Sequence, residues 1–164
     1  MSDGIVIRRA GDADFDGIWK IFHAVVEQGD TYMYAPGTTK EETRAIWMAP
    51  GIATYVALLD GEVVGTYILK PNQPGLGSHV ANAGYMVHPR RSGRGIGRAL
   101  CAHSMDEARG MGFLAMQFNA VVSTNESAVA LWKKMGFAIV GTVPKAFRRK
   151  KLELVDIFVM HRFL

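Results

Sequence analysis

Cysteine and long apolar runs are almost absent from the chain. Its 164 residues include one cysteine, Cys101, which excludes an intramolecular disulfide and a zinc site built from several cysteines. No apolar run approaches the roughly 20 residues that cross a bilayer, and the N-terminal segment MSDGIVIRR lacks the charged and then apolar pattern of a secretory signal. We therefore expect a soluble, cytoplasmic protein without a membrane partner.

Grouped metal ligands and a long basic stripe are also missing. Four histidines have no metal-site spacing, so we expect no metal: His79, His88, His103 and His161. The formal charge of +4 is modest, and the short cluster Arg90, Arg91, Arg94 and Arg98 suits a small polyanion, whereas nucleic acid requires a longer basic face. A second basic stretch, Lys145 to Lys151, is expected to form a solvated loop, with an acidic or nucleic-acid partner as the alternative.

Apolar periodicity divides the chain in the order β-α-α-β-β-β-α-β-α-β-β. This order predicts a single domain over residues 1–164, of the α/β (α+β mixed) class, with helices on both faces of a mixed sheet. The predicted strands are Ile5–Arg9, Ala53–Leu59, Val63–Leu69, Val80–Val87, Phe113–Val122, Ala138–Val143 and Leu154–Phe163. The predicted helices cover residues 12–26, 39–48, 96–111 and 123–135.

Polar residues indicate where several helices begin. Asp12 is a good N-cap for the first helix. The run Thr38 to Glu42 contains two overlapping capping boxes for the second helix, and Ser123 with Glu126 offers another for the fourth.

The string VHPRRSGRGIGRAL, residues 87–100, places Gly93, Gly95 and Gly97 between a strand and a helix. Glycine permits left-handed turns and a close approach of the backbone to a ligand. The first turn of the helix has unpaired N–H groups at the positive end of its dipole. The loop therefore predicts an anion cradle for a phosphate group, with a glycine-rich turn without a ligand as the alternative.

Two widespread phosphate loops do not fit this string. A Walker A loop requires Gly-Lys-Ser/Thr after a glycine and four further residues. A Rossmann fingerprint requires glycine or alanine at the position of Arg98.

A second string follows one helix and one strand later: NESAVALWKKMGF, residues 125–137. It is similar to the pattern Asn-x-x-Ala-x-x-Leu-Tyr-x-x-x-Gly-Phe, and Gly95 and Gly97 match the small positions of Arg/Gln-x-x-Gly-x-Gly/Ala. Ser92 stands where that loop usually has Arg or Gln. With both motifs in the right order, the chain resembles the GCN5-related N-acetyltransferases, the GNAT family, over nearly its whole length.

This resemblance implies a fold and a co-substrate. The fold has a mixed, mostly antiparallel sheet of about seven strands that is splayed in the middle, with four helices on its two faces. Acetyl-CoA binds between the splayed strands, here Val80–Val87 and Phe113–Val122, and its pantetheine pairs with the edge of the first. The residues thereby implied to bind acetyl-CoA are Met86, Val87, Ser92, Gly93, Arg94, Gly95, Ile96, Gly97, Arg98, Asn125 and Trp132. Ordinary helix capping is the alternative role for Asn125.

One position departs from the family pattern. The family's tyrosine after the leucine often protonates the leaving thiolate, and Trp132 takes its place. Because an indole N–H is not a practical acid, we expect Trp132 to pack, and water or the outgoing ammonium to protonate the thiolate.

Two asparagines are expected near the middle of the splayed strands. Asn82 and Asn119 are poorly favoured in strands, and a buried amide needs a partner. The segments NAGYMV, FN and VGTVP resemble those of the yeast azetidine-2-carboxylate (proline-analogue) N-acetyltransferase group. In that group the asparagines at these places bind substrate and position its amine. Asn82 and Asn119 are thus candidate catalytic and substrate-binding residues, or they bond across the splay through water. Tyr32 and Tyr34 are candidates for the acceptor wall, or for packing.

Together these features predict an acetyl-CoA-dependent N-acetyltransferase for a small-molecule amine, an amino acid or an analogue of one. A neutral amine attacks directly in a ternary complex, and backbone donors near Met86 and Val87 polarise the carbonyl oxygen. No general base is evident; His23 and Glu27 either act through a water or face solvent. Cys101 lacks a matched His–Asp pair, so an acyl-cysteine is not expected.

Two other functions remain open at this point. The acceptor could be a peptide or protein amine, or the chain could be a non-catalytic acetyl-CoA-binding module. A homodimer is expected from the resemblance alone.

Overall fold

The computed structural model describes residues 4–150 and 152–164, which form a seven-stranded sheet with helices on both faces. The strands are β1 (Val6–Arg9), β2 (Ala53–Leu59), β3 (Glu62–Pro71), β4 (Val80–Val87), β5 (Ala115–Val122), β6 (Ala138–Arg149) and β7 (Glu153–Phe163). The α-helices are α1 (Phe15–Val26), α2 (Lys40–Trp47), α3 (Ile96–Gly110) and α4 (Glu126–Lys134). The predicted fold class and element order are confirmed. Two predicted features, residues 1–3 of the MSDGIVIRR segment and Lys151, lie outside the described residues.

The sheet order is β1-β2-β3-β4-β5-β7-β6. Every neighbouring pair is antiparallel except β4 and β5, which are parallel and are connected through α3. Alternate residues of β4 face opposite sides: Tyr85 packs in the cluster of α3 and α4, and Met86 packs in the cluster of α1 and α2. In the part of the chain that the structure describes, no helix is both long and apolar enough to cross a membrane.

The central strands separate, as expected. Pairing between β4 and β5 runs from Val80–Ala115 to Asn82–Gln117 and ends there, although β4 continues to Val87. An open gap between the two strands follows.

An aromatic side chain of α4 packs against both diverging strands. The ring of Trp132 lies 5.0 Å from that of Tyr85 on β4 and 5.0 Å from that of Phe118 on β5, measured between centroids. Trp132 is buried, so the predicted packing role of this residue agrees with its position. The indole thus contacts both strands from the side of the sheet that α3 and α4 cover.

The predicted caps of α1 and α4 are wrong. Asp12 begins a short 3-10 turn, and its carboxylate accepts a hydrogen bond from Arg44 at 2.5 Å. The carboxylate of Asp14 instead accepts from the N–H of Gly11 at 2.8 Å. Asn125, rather than Ser123, caps α4.

The capping box of α2 is confirmed in one of its two predicted registers. The N–H of Glu42 donates to Thr39 Oγ1 at 3.2 Å, and the N–H of Thr39 donates to Glu42 Oε2 at 2.7 Å. Both donors would otherwise be unpaired at the helix start.

Alternation along β5 predicts that Met116, Phe118 and Ala120 share one face and that Gln117, Asn119 and Val121 share the other, and the structure departs from this pattern. A register shift between Phe118 and Val121 lets both side chains enter the core beside α3 and α4, although simple alternation places them on opposite faces. Such a bulge inserts one extra residue and redirects its neighbours. Asn119 is exposed.

The loop predicted at Lys145 to Lys151 is largely strand. Strand β6 continues through Pro144 to Arg149. It is the outermost strand, where a missing N–H is tolerated, and a register shift between Val143 and Phe147 accommodates the proline. The basic side chains of this stretch therefore lie along a sheet edge, where charge disfavours pairing with another chain.

Candidate functional site

The glycine loop has the backbone conformation that an anion cradle requires. Gly93 and Gly95 adopt φ of +79° and +77°, in the left-handed region. Gly95 is the N-cap of α3, and its carbonyl accepts the N–H of Ala99 at 3.0 Å. The N–H groups of the first turn of α3 are thus left for a ligand.

A cleft of about 570 Å³ lies between this loop, the end of β4 and the start of α4. All but one of the residues predicted to bind the co-substrate line it: Met86, Val87, Ser92, Gly93, Gly95, Ile96, Gly97, Arg98, Asn125 and Trp132. Arg94 is not among the lining residues. Arg91 lines the cleft too, and its guanidinium pairs with Glu62 at 2.7 Å.

A second cavity of about 300 Å³ lies on the other side of the gap. Four lining residues are the predicted acceptor residues: Tyr32, Tyr34, Asn82 and Asn119. The rings of Tyr32 and Tyr34 are stacked, with centroids 5.8 Å apart and planes inclined by 7°. The structure therefore brings the loop between α1 and α2 against both splayed strands.

The cleft and the cavity share a boundary. Six residues line both: Thr31, Tyr32, Tyr85, Asn125, Ala128 and Trp132. A ligand in the cleft and a second ligand in the cavity would therefore meet at the gap between β4 and β5.

Hydrogen bonds hold the two asparagines of the cavity wall, Asn82 and Asn119. Asn82 Nδ2 donates to the carbonyl oxygen of Gln117 at 3.0 Å. Gln117 Nε2 donates to Asn119 Oδ1 at 3.0 Å, and Asn119 Nδ2 donates to Asn72 Oδ1 at 2.7 Å. These bonds fix the asparagine side chains across the start of the gap directly, where the sequence had suggested bridging through water.

Asn125 acts as a helix cap and also lines the site. Its Oδ1 accepts the N–H of Ala128 at 3.4 Å and the hydroxyl of Ser127 at 3.2 Å. The capping alternative is therefore confirmed, and the same residue lies on the shared boundary.

Burial controls the titratable groups near the gap. Burial raises the pKa of Tyr32, and Tyr34 beside it adds to the shift. The hydroxyl of Tyr32 therefore keeps its proton at neutral pH. Burial likewise raises the pKa of the Cys101 thiol to about 12, and a neutral thiol is a poor nucleophile.

The two side chains considered as a general base lie away from the gap. His23 Nδ1 is 4.0 Å from Glu27 Oε1, and that same oxygen accepts the N–H of Gly37 at 2.6 Å. Glu27 lines a third cavity, of about 590 Å³, which Tyr32 and Tyr34 also line. Neither residue lines the 570 Å³ cleft or the 300 Å³ cavity.

Sequence reasoning missed Lys70. It lines the 300 Å³ cavity and lies opposite Asn82 in the register of β3 and β4. The strand alternation of the β2–β3 hairpin, continued one residue past Leu69, would have placed it there. Among residues 4–150 and 152–164, no group of three His, Cys, Asp or Glu side chains could hold a metal ion.

Known proteins share both the sequence pattern and the fold. The sequence model of the Acetyltransferase (GNAT) family matches residues 21–137. The chain is 31% identical to L-amino acid N-acetyltransferase AaaT of Escherichia coli (strain K12), with 96% of this chain and 97% of that protein covered. A solved GCN5-related N-acetyltransferase from Kribbella flavida is 45% identical, with a TM-score of 0.95 and 100% of both chains covered.

A further relative is longer than this chain. N-acetyltransferase aca1 of Schizosaccharomyces pombe is 35% identical over 112 residues, which are 68% of this chain and 54% of aca1. The matched segment thus spans about half of that protein's length.

Proposed function

The chain belongs to the acetyltransferase (GNAT) family, and on this premise we propose that it moves the acetyl group of acetyl-CoA to the amine of a free amino acid or amino-acid analogue. It is an N-acyltransferase, and acetyl-CoA is its co-substrate. The observation that carries the proposal is the shared boundary of the 570 Å³ cleft and the 300 Å³ cavity at the gap between β4 and β5. One compartment suits the donor and the other the acceptor.

The residues around the cleft fit the donor. The first-turn N–H groups of α3 and the glycine loop would hold the diphosphate, with Arg94 and Arg98 adding positive charge. The backbone of Met86 and Val87 lies on the strand edge that β5 leaves open, where an extended pantetheine arm can pair. The acetyl-CoA thioester supplies the activated acyl group.

The residues around the cavity fit an amine acceptor. The Nδ2 group of Asn82 donates to the backbone carbonyl oxygen of Gln117, and this bond fixes the orientation of the side-chain amide. Its Oδ1 is then available to accept an N–H of the acceptor amine, so Asn82 would orient the amine for direct attack. Asn119 and the stacked rings of Tyr32 and Tyr34 complete the wall.

The alternative acceptor, a peptide or protein amine, receives less support. An acidic groove would favour a basic peptide, whereas none of the described residues that line the 300 Å³ cavity is acidic. Among amino-acid acceptors we propose the proline-analogue type, because the sequence segments around Asn82 and Asn119 resemble those of the azetidine-2-carboxylate N-acetyltransferase group. AaaT, by its name an L-amino acid N-acetyltransferase, is consistent with an amino-acid substrate.

Three wider proposals accompany the reaction. Residues 1–164 fold as a single domain, supported by one sheet that includes both Val6 and Phe163. The protein acts in the cytoplasm, which suits its single, buried thiol. It works as a homodimer without a nucleic-acid partner, and equilibrium sedimentation tests the dimer.

Release of free CoA, followed with a thiol reagent, tests the reaction. The panel contains azetidine-2-carboxylate, L-methionine and a short peptide with a free N-terminus. We expect release with the amino acids and little with the peptide, and about a tenfold lower kcat/KM in Asn82→Ala. Release only with the peptide, or with no member of the panel, would contradict the proposal.

A further inference from the structure

Among the residues that the structure describes, Lys70 is the one charged residue that lines the 300 Å³ cavity. It lies near the end of β3, directly opposite Asn82 on β4. Within the described ranges, 4–150 and 152–164, no carboxylate lies within 4 Å of its ammonium group. The acceptor cavity therefore carries an uncompensated positive charge.

The backbone position of Lys70 is close to the proposed position of the amine. Side chains directly opposed on antiparallel strands have Cβ atoms about 5 Å apart. In an α-amino acid the amine and the carboxylate are attached to the same carbon atom. The flexible stem of Lys70 can therefore bring its ammonium to a carboxylate whose neighbouring amine lies beside Asn82, and the Nδ2 of Asn82 is already bonded to Gln117.

We propose that Lys70 binds the α-carboxylate of the acceptor and selects free amino acids over amides, esters and polyamines. The proposal rests on the proposed function, since it assigns the acceptor its second anchoring point. Lys70 is a specificity residue, because it contacts the acceptor's carboxylate rather than the reacting atoms. A polyamine would meet a like charge there, and a carboxamide would lose the ion pair.

Paired acceptors test the assignment. Azetidine-2-carboxylic acid and L-methionine are each compared with their carboxamides, in the wild-type protein and in Lys70→Gln, Lys70→Arg and Lys134→Gln. Lys134 is exposed at the end of α4 and lines neither compartment, so Lys134→Gln is the matched control. The acid-to-amide ratio of kcat/KM is then compared between variants, because the difference in intrinsic reactivity between the two amines is the same in every variant and cancels.

For the wild type and Lys134→Gln we expect a clear preference for the acids. In Lys70→Gln the acid KM should rise about tenfold, the typical effect of losing a hydrogen bond to a charged group. The amide KM should stay within about twofold, and kcat for the acids within about threefold. Lys70→Arg should keep most of the preference because it retains the charge.

Different results would overturn different statements. Equal use of acids and amides by the wild type, or an equal effect of Lys70→Gln on both, would overturn the role of Lys70 and leave the acetyltransfer proposal standing. Absence of turnover with all four acceptors, in protein that binds acetyl-CoA, would overturn the proposed function and the role of Lys70 with it. Thermal unfolding of Lys70→Gln at the wild-type temperature excludes misfolding as the cause.

Discussion

The hydroxyl of Tyr32 donates a hydrogen bond of 2.5 Å to the backbone carbonyl oxygen of Tyr85. This bond ties the loop between α1 and α2 to β4, past the point where β4 has separated from β5. Both residues lie on the boundary between the cleft and the cavity. The proposed acceptor wall is therefore held against the strand edge at which the thioester is proposed to lie.

Removal of this hydroxyl should weaken acceptor use. Tyr32→Phe leaves a buried carbonyl unpaired and loosens the loop, at a cost of about 1–2 kcal/mol. We expect kcat/KM for the amino acid to fall about 5- to 30-fold. Tyr55→Phe is the matched control, because its hydroxyl bonds to Glu107 away from the site. Equal kinetics in both variants would argue against a role for the Tyr32 bond.

The left-handed conformation of Gly95 should be costly to replace. No atom lies within 4 Å of a Cβ built there, so only the backbone angle penalises Gly95→Ala, by about 1–2 kcal/mol. We expect this variant to unfold at a lower temperature and to bind acetyl-CoA less tightly. In Gly110→Ala, at a helical position with open space, stability should rise by up to about 1 kcal/mol. Differential scanning calorimetry measures the unfolding temperature of both variants. A Gly95→Ala variant that is more stable than the wild type would contradict this account.

The indole of Trp132 should matter for packing more than for proton transfer. Loss of a general acid costs about 10²- to 10⁴-fold in rate, whereas a packing residue mainly affects stability. We expect Trp132→Phe to keep kcat within about tenfold of wild type and to lower the unfolding free energy by about 1–2 kcal/mol. A drop in kcat beyond about a hundredfold with unchanged stability would assign the indole a chemical role.

The thiol of Cys101 should be unreactive in the native protein. Burial raises its pKa to about 12, so little thiolate exists at neutral pH. Iodoacetamide should modify it only after denaturation, and mass spectrometry should detect no acetylated enzyme after incubation with acetyl-CoA. Rapid native alkylation, or an acetyl adduct that is lost on adding the amine, would instead support a covalent intermediate.

Acid should remove stability that Asp14 provides. A hydrogen bond from Arg8, with the N–H of Gly11, lowers the pKa of Asp14 below its ordinary value. Because the folded state binds this proton less readily, the contribution is present above the ordinary pKa of about 4 and is lost as pH falls through the folded value. Urea unfolding between pH 7 and pH 3 should show a shallower loss in Asp14→Asn. An unchanged slope would contradict this assignment.

The sequence predicts the fold well where local chemistry decides the structure. The limits of β2 and β4 agree with their apolar runs, and the capping box at Thr39 forms as its spacing predicts. The glycine loop and the string beginning at Asn125 were sufficient to predict residues on both sides of the cleft. These features depend on residues that are close in sequence, or on motifs whose order along the chain indicates where they lie in the fold.

The misses come from contacts between distant residues. The carboxylate of Asp12 is engaged by Arg44 of α2, far along the chain, so it is not available as a cap. The bulge after Phe118 depends on pairing with β7, which alternation within β5 does not reveal. Lys70 belongs to no local motif, and only its register opposite Asn82 indicates that it lies at the site.

A crystal structure with acetyl-CoA tests the central claim most directly. We predict the diphosphate on the backbone N–H groups of residues 93–98 and the pantetheine along β4 at Met86 and Val87. The thioester should lie in the gap between β4 and β5, with its carbonyl facing the cavity of Asn82 and Tyr32. Acetyl-CoA bound outside this gap, or a gap closed by continuous pairing of β4 and β5, would contradict the account.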